Sequence, residues 1–414
     1  MSSDYLSKRQ SVSDIRRENL RQIMTLLARY KTLTRHEICA RTGLTGAGLS
    51  RNIRELVDAG LVKDLPEESS QNQKGRRRSI LSLNAKGAFV IGMTLSANRK
   101  QLCVMNCAQD IIAQRDFDEL DVNDPVRALN HFIHEAKAMI GVSGIDNGRV
   151  LGAGVVLGTS SAGPIGDYVS MPVLGWQRIP VLSILRDGLE MPVRLMSRSE
   201  ALLKVEEERV LSEQQPSDQT PPRILLVNVG VGIGSAISGG DSFLGGLHQP
   251  QISHLAIAGQ SAVCSCGRSG CLEQVASGAG VFRALNHAPD HQLMPFHQLS
   301  GKLSDALNLA REANRLACDA FFNAGMRMAQ GLDLAVAMLS PDRVLIAGEV
   351  GRQPDYFEGI ITGAGQSSSP LGRLEIERCA TRSLYAAGLL GLNNFLFSRD
   401  LSLNSLQTLS REAS

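Results

Sequence analysis

The chain has 414 residues, too many for one ordinary core, so two or three domains are expected. Hydrophobic residues make up 43% and charged residues 20%, which excludes a disordered chain. The net charge of +2 hides an asymmetry: residues 1–83 hold sixteen Lys/Arg against nine Asp/Glu, and the remainder is acidic. A basic N-terminal module points to a polyanionic partner, or to no more than a solvated face.

The polar start, Met1 to Gln10, lacks the apolar core of a signal peptide. Between Arg16 and Tyr30, Leu20, Ile23, Met24, Leu26 and Leu27 recur at helical spacing. Thr34 with Glu37 three residues later is a capping-box pattern. It predicts a short helix over Arg35 to Arg41, with Ile38 and Cys39 inward and a tight turn at Gly43. Thr45 caps a third helix, Gly46 to Ala59, with Leu49, Ile53, Leu56 and Val57 on one face and a stop at Gly60. This is helix-turn-helix spacing, with the third helix as reader of a major groove in double-stranded DNA. Its exposed face is expected to offer Ser50, Arg51, Asn52 and Arg54, with Thr45 and Gly46 at its start. Arg and Asn pair bidentately with guanine and adenine edges. Thr34 and Arg35, opening the second helix, join the candidate contacts.

Val62 to Leu65 and Ser79 to Leu83 are predicted to pair as a wing, with Arg76, Arg77 and Arg78 near its tip against phosphates or a narrow minor groove. The alternative is a basic linker. The module resembles the winged helix-turn-helix of ROK-family transcriptional regulators. The matching text is Leu33-Thr34-Arg35-His36-Glu37-Ile38, Thr42-Gly43-Leu44-Thr45, Leu56 to Val62 and Gly75-Arg76-Arg77.

Beyond Asn84, strands and helices alternate, which implies an α/β body. Ala88 to Leu95 and Gln101 to Asn106 read as a strand pair, Pro125 to Ile140 as a helix, and Val150 to Leu157 as a buried strand. Ile224 to Val229 is a strand before Gly230-Val231-Gly232-Ile233-Gly234, and Val344 to Ala347 is a late strand. Ser212 to Pro222 looks like a surface loop, and Asp400 to Ser414 like a polar, frayed tail. The expected domains are 14–84 for DNA binding, 86–398 for the body and 399–414 for the tail.

No apolar window of about eighteen residues occurs, so no membrane span is expected. The cytoplasm is the expected location, where eight cysteines argue for metal or free thiols over disulfides. His254, Cys264, Cys266 and Cys271 supply three thiols and an imidazole within eighteen positions, the ligand set of a closed, structural Zn2+ site. Cys39, Cys103, Cys107, Cys318 and Cys379 are scattered and read as buried small hydrophobes.

The zinc motif, followed by Leu272-Glu273, resembles the signature of the ROK family: repressors, open reading frames and sugar kinases. Gly230 to Gly234 resembles its second phosphate loop, and Pro341 to Gly348 its late strand motif. Over about residues 86–398 the resemblance implies a two-lobed, actin-like ATPase fold that is sugar-kinase-like. Where it fails is as telling. The family's catalytic base stands in a Glu-Asn-Asp run after a Pro-Val strand, and Met196-Ser197-Arg198-Ser199-Glu200 puts Arg198 there. Arginine stays protonated and cannot accept the sugar's proton. The first phosphate loop, Asp-x-Gly-Gly-Thr in the family, reads Ile91-Gly92-Met93-Thr94-Leu95-Ser96-Ala97. The resemblance aligns Val173 and Gln251 with an Asn and a Glu that contact sugar, and retains His254 and Glu273.

The expectation is therefore no catalytic residue. The protein reads as a DNA-binding regulator, by family resemblance a repressor of carbohydrate genes, whose cleft is expected to bind a sugar or derivative through Arg198, Glu200, Gln251, His254 and Glu273. Arg198 either favours an anionic ligand or pairs with Glu200 or Glu206. A homodimer or homotetramer is expected, because one helix-turn-helix covers one half-site. Two other readings stay open: a sugar kinase using Glu200, and a DNA-binding protein indifferent to ligand.

Overall fold

The computed structural model describes residues 12–66, 79–96, 99–117, 120–159, 166–213, 221–239, 247–292, 296–366, 370–403 and 406. Helices α1 (Val12–Tyr30), α2 (Arg35–Thr42) and α3 (Gly46–Asp58) pack on strands β1 (Thr32–Thr34), β2 (Val62–Pro66) and β3 (Ser79–Leu83). The strands form an antiparallel sheet of order β1-β3-β2, with Val62 opposite Leu83 and Pro66 opposite Ser79. The expected wing is this β2–β3 pair; Arg76, Arg77 and Arg78 lie outside the described residues.

Local chemistry sets the helix ends. The Thr34 hydroxyl accepts from the Glu37 N–H while the Glu37 carboxylate accepts from the Thr34 N–H, the reciprocal capping box. Gly43 ends α2 at φ 71°, a left-handed conformation that glycine adopts without penalty. Ile23, Met24, Leu27, Ile38, Leu49, Ile53 and Leu56 form the core. Two expectations for α3 need correction. Asn52 is buried, 5% exposed, and Val57 is exposed. At 3.6 residues per turn Asn52 shares the inward stripe of Leu49, Ile53 and Leu56, and Val57 falls off it.

Two five-stranded sheets follow. The first contains β4 (Phe89–Leu95), β5 (Lys100–Asn106), β6 (Ile111–Asp116), β7 (Val150–Leu157) and β10 (Val193–Ser197), in the order β10-β7-β4-β5-β6. Between these strands come α4 (Pro125–Val142), the hairpin β8 (Val169–Met171) and β9 (Trp176–Ile179), and α5 (Val181–Leu189). Helix α6 (Arg198–Glu213) leads out of β10. It runs into the region expected to be a surface loop from Ser212.

The second sheet contains β11 (Ile224–Val229), β12 (Ile233–Ser238), β13 (Leu247–His248), β14 (Arg343–Ala347) and β15 (Ile376–Arg378). Its order is β13-β12-β11-β14-β15. Helices α7 (Glu273–Ala276), α8 (Gly278–Leu285), α9 (Ser300–Arg311) and α10 (Arg315–Leu339) precede β14; α11 (Gly348–Gly351) and α12 (Pro354–Gln366) follow it, and α13 (Ser383–Phe395) follows β15. The two sheets repeat one topology. In each, an antiparallel first hairpin sits beside two parallel strands brought back by helical crossovers. The chain thus holds two lobes of one design. Ala201, Leu202 and Leu203 of α6, with Ala386, Ala387 and Leu390 of α13, share one apolar cluster with Leu226, Ala236 and Leu345 of the second sheet.

In the second lobe α10 and α12 cross at glycines. A Cβ at Gly359 would meet the Phe322 carbonyl at 2.1 Å, and one at Gly325 the Tyr356 carbonyl at 2.0 Å. Backbone cannot yield as a side chain can. Gly359→Ala is therefore expected to cost about 1–3 kcal/mol through overpacking, seen as a lower urea midpoint with an unchanged slope. Within the stretch expected as a polar, frayed tail from Asp400, the described Leu403 and Leu406 are buried in the cluster that includes the α1 leucines, next to Leu396 and Phe397.

Candidate functional site

A cleft opens where the two lobes meet, with about 1110 Å³ of empty space, part of it open to solvent. The first lobe supplies Ser96 from the β4–β5 turn, Gly158 and Thr159 after β7, Val173, and Ser197 to Ser199 at the start of α6. The second supplies Asn228 and Gly230 to Ser235 from the β11–β12 hairpin, Gln249, Gln251, His254, Glu273 and Glu349. The first hairpin of each lobe thus faces the same space.

Of the six buried polar side-chain atoms without a hydrogen-bond partner among the described residues, four belong to residues lining this cleft. They are Thr159 Oγ1, Arg198 Nε, Asn228 Oδ1 and Gln249 Nε2. Unpaired buried polar atoms are costly, so their concentration marks a place where a polar ligand would supply the partners.

Arg198 opens α6 from β10. Its Nη2 donates a long bond of 3.5 Å to the carbonyl of Leu95 at the end of β4, across β7 from β10. Burial lowers its pKa from the ordinary arginine value, and the charge of Glu349 opposes that shift. The alternative of an ion pair with Glu200 or Glu206 is not seen. Glu206 accepts from Arg209, Thr381 and Cys379 instead. Glu200 needs a second correction, since it is absent from the cleft lining. Its carboxylate accepts from the Ser197 hydroxyl at 2.7 Å and its N–H donates back to Ser197, a cap on α6. Two positions along a helix turn a side chain by roughly 200°, which carries Glu200 away from the side Arg198 faces.

Gln251, His254 and Glu273 line the cleft as expected. Glu273 Oε1 accepts from the Ile233 N–H at 3.1 Å. Burial pushes this carboxyl up to about 7, with the Ile233 bond opposing. A Cβ at Gly232 would lie 2.7 Å from Glu273 Oε1, so the hairpin's glycine is what lets the backbone approach this side chain.

Next to the cleft, His254, Cys264, Cys266 and Cys271 bring their donor atoms within 4.8 Å of one another. His254 Nδ1 is 3.7 Å from Cys264 Sγ, and Cys266 Sγ is 3.6 Å from Cys271 Sγ. Those separations fit the edges of a tetrahedron around Zn2+, about 3.8 Å for thiolates at the usual bond length. Charge fits as well. Burial and neighbouring thiols push Cys264 up and Cys271 up to about 12. A cation is what would stabilise the grouped thiolates. Gln274 Nε2 lies 3.9 Å from Cys264 Sγ, and Arg283 donates to the Gln274 side-chain Oε1 and to the Pro289 and Gln292 backbone carbonyls. These supports were not read from the sequence, nor were Asn228, Gln249, Thr159 and Glu349. Of the remaining cysteines, Cys103, Cys107 and Cys379 are buried, and Cys39 and Cys318 half-buried.

In the N-terminal module, Thr45, Gly46, Ser50, Arg51 and Arg54 are exposed along α3. Arg51 and Arg54 form no ion pair among the described residues. Thr34 is committed to its cap, and Arg35 Nη2 pairs with Asp64 of β2 at 2.5 Å. That pair ties α2 to the wing.

A three-helix winged module leading into a duplicated two-lobed body with a polar cleft defines a nucleic-acid-binding fold joined to a sugar-kinase-like one. The chain belongs to the ROK family, whose model matches residues 90–367. A MarR family model matches residues 14–71. The chain is 24% identical to the putative xylose repressor of Caldicellulosiruptor sp. (strain Rt8B.4) over 352 residues, covering 83% of this chain and 86% of that one. Among solved structures it resembles a ROK family transcriptional regulator described as a homolog of the E. coli MLC protein. The TM-score there is 0.65 at 16% identity, covering 97% of this chain and all of that one. A ROK family glucokinase from Streptomyces griseus, solved with glucose and AMPPNP, matches with a TM-score of 0.52 at 18% identity, over 73% of this chain and 97% of that one.

Proposed function

We propose that this chain is a sequence-specific DNA-binding repressor whose operator affinity is set by a small sugar-like ligand in a cleft that does not transfer phosphate. The observation that carries the reading is the cleft itself. It keeps polar groups in need of partners, yet the side chain at the start of α6 is Arg198, which cannot act as a base. Similarity to a repressor across both modules supports the regulatory half. We read residues 14–84 as the reader, 86–398 as the sensing and oligomerising body, and 399–414 as its C-terminal extension. His254, Cys264, Cys266 and Cys271 would hold Zn2+ structurally, four protein ligands leaving no open position for water.

The body would work by closure. Ligand bound between the lobes favours one lobe arrangement, and the two readers of a dimer or tetramer change spacing with it. Couplings of this kind amount to about 1–3 kcal/mol. Sequencing of genomic fragments captured by the zinc-loaded protein at physiological salt tests the reading. Sites sharing an inverted repeat are expected; diffuse, salt-sensitive capture would sink it. A coupled assay with ATP and hexoses is expected to show no turnover, and sustained turnover would overturn the loss of catalysis.

On the captured site, Arg54→Ala is expected to weaken binding about 5- to 150-fold, the ~1–3 kcal/mol of a base-edge contact. Asn52→Ala should instead lower the stability of the module while leaving base preference intact. A change of preferred sequence in the Asn52 variant would return that residue to the reading face.

A further inference from the structure

We infer that the ligand of this cleft carries an anionic group, and that Arg198 with the first turn of α6 receives it. The inference rests on the reading of the cleft as a sensor site and names the ligand's chemistry. Three observations converge. Arg198 Nε is shielded from solvent without a partner among the described residues, and its Nη2 makes one long bond, so the planar donor fork is underused. Arg198 and Ser199 form the N-terminal turn of a sixteen-residue helix, where free N–H groups and the helix dipole favour negative charge. Gln249 Nε2, a donor, and Thr159 Oγ1 line the same cleft and are also unpartnered.

The rest of the cleft suits hydroxyls. Asn228 Oδ1, an acceptor without a partner among the described residues, lines the second lobe's wall beside Glu273, and a polyol presents O–H groups to such a wall. The two sides together describe a polyhydroxylated anion, with the charge at α6 and the hydroxyls toward the β11–β12 hairpin. A neutral hexose would bring no charge to Arg198 Nε, which is without a partner among the described residues. Glu349 lies close enough to be felt by Arg198, so a ligand anion competes with it for the cation. Carboxylate and phosphate share the required chemistry, and the probes below separate them.

The test is thermal stability and calorimetry of the full-length, zinc-loaded chain with matched probes. The neutral set is glucose, galactose and N-acetylglucosamine. The carboxylates are glucuronate, galacturonate and gluconate, and the phosphates glucose 6-phosphate and galactose 6-phosphate. At least one acidic member is expected to bind ten-fold or more tightly than its neutral counterpart at matched ionic strength. Carboxylates leading would identify a sugar acid, and phosphates leading a sugar phosphate. Arg198→Gln should abolish the preference for acidic over neutral members, bringing the two classes to within two-fold of each other. Should that variant fold poorly, competition by the acidic probe against a neutral one on the wild-type chain gives the same ranking. Neutral members equal to or better than acidic ones would overturn the inference, as would silence of every acidic probe. Genomic capture run on the same preparation keeps the two claims apart. Specific sites without an anion preference would fail the ligand inference alone, whereas loss of specific capture would fail the regulator reading.

Discussion

Cys264→Ser is expected to empty the Cys3His cluster and loosen the segment from His254 to Glu273. Cys264 is 4% exposed and faces both His254 and Gln274, so its thiol sits at the centre of the cluster's contacts. Turns and short-range backbone bonds, not a sheet, hold this segment. It has two isolated bridges, Ala256 with Cys271 and Val263 with Ser269, and no long ladder. Four-ligand zinc sites supply about 10–16 kcal/mol in small peptides. Losing even about 3 kcal/mol of that would lower the thermal midpoint by roughly 6–12 °C for a domain of this size. Glu273 lies two residues past Cys271 and grips the β11–β12 hairpin through Ile233, so ligand response should fall with the metal. Metal content by emission spectroscopy, thermal midpoint and ligand titration would be read on one preparation. A variant that loses its metal but keeps its midpoint and ligand affinity would show the cluster to be independent of the cleft.

A second large effect is expected at Glu206. Its side chain is wholly buried in α6, and Oε1 accepts from the Thr381 N–H at 3.0 Å and the Thr381 hydroxyl at 2.6 Å, while Oε2 accepts from Arg209 at 2.8 Å. Glu206→Ala strands the Thr381 donors and leaves a cavity, while the part-exposed Arg209 can turn to solvent or Glu377; leaving buried donors unsatisfied costs about 1–3 kcal/mol. Burial alone would raise this carboxyl's pKa, but the bonds from Thr381 and Arg209 outweigh it and hold the pKa below the ordinary 4.5. The sign follows. A depressed carboxyl stabilises the fold above pH 4.5, and that stability is lost as pH falls through the lower folded value. Denaturant midpoints of the wild type should therefore drop on acidification below pH 4.5, and Glu206→Gln should flatten that limb. Equal acid slopes in the two proteins would remove Glu206 from the account.

The N-terminal module was legible because its signals are local. A capping box, a glycine stop and the spacing of leucines act within one turn or two, and they placed α2 and α3 to within a residue or two. Asn52 failed because polarity was read as exposure, while its position on the stripe of Leu49, Ile53 and Leu56 was the better guide. The gathering of His254, Cys264, Cys266 and Cys271 into one cluster was legible from spacing alone. The cleft was legible only where the family signature supplied a frame, as for Arg198, Gln251 and Glu273. Asn228, Gln249, Thr159 and Glu349 come from four separate segments, and nothing in any of those segments reveals that the topology brings them together. Glu200 was misplaced because a helix begins at Arg198 and rotates the next carboxylate off the site.

The buried C-terminal leucines have a consequence for engineering. Leu20, Ile23 and Leu27 of α1 share one apolar cluster with Ala88 just before β4, Val90 and Met105 of the first sheet, Leu392 of α13, and Leu403 and Leu406. Arg399 pairs with Glu18 at 2.5 Å, and Arg29 donates to the Leu211 carbonyl near the far end of the helix that Arg198 begins. A chimera that swaps in a foreign winged helix at residue 84 would therefore inherit an unmatched hydrophobic seam, and a body cut free of it would be sticky. Retargeting this chain to a new DNA sequence is better done by rewriting the solvent side of α3 in place than by transplanting the module.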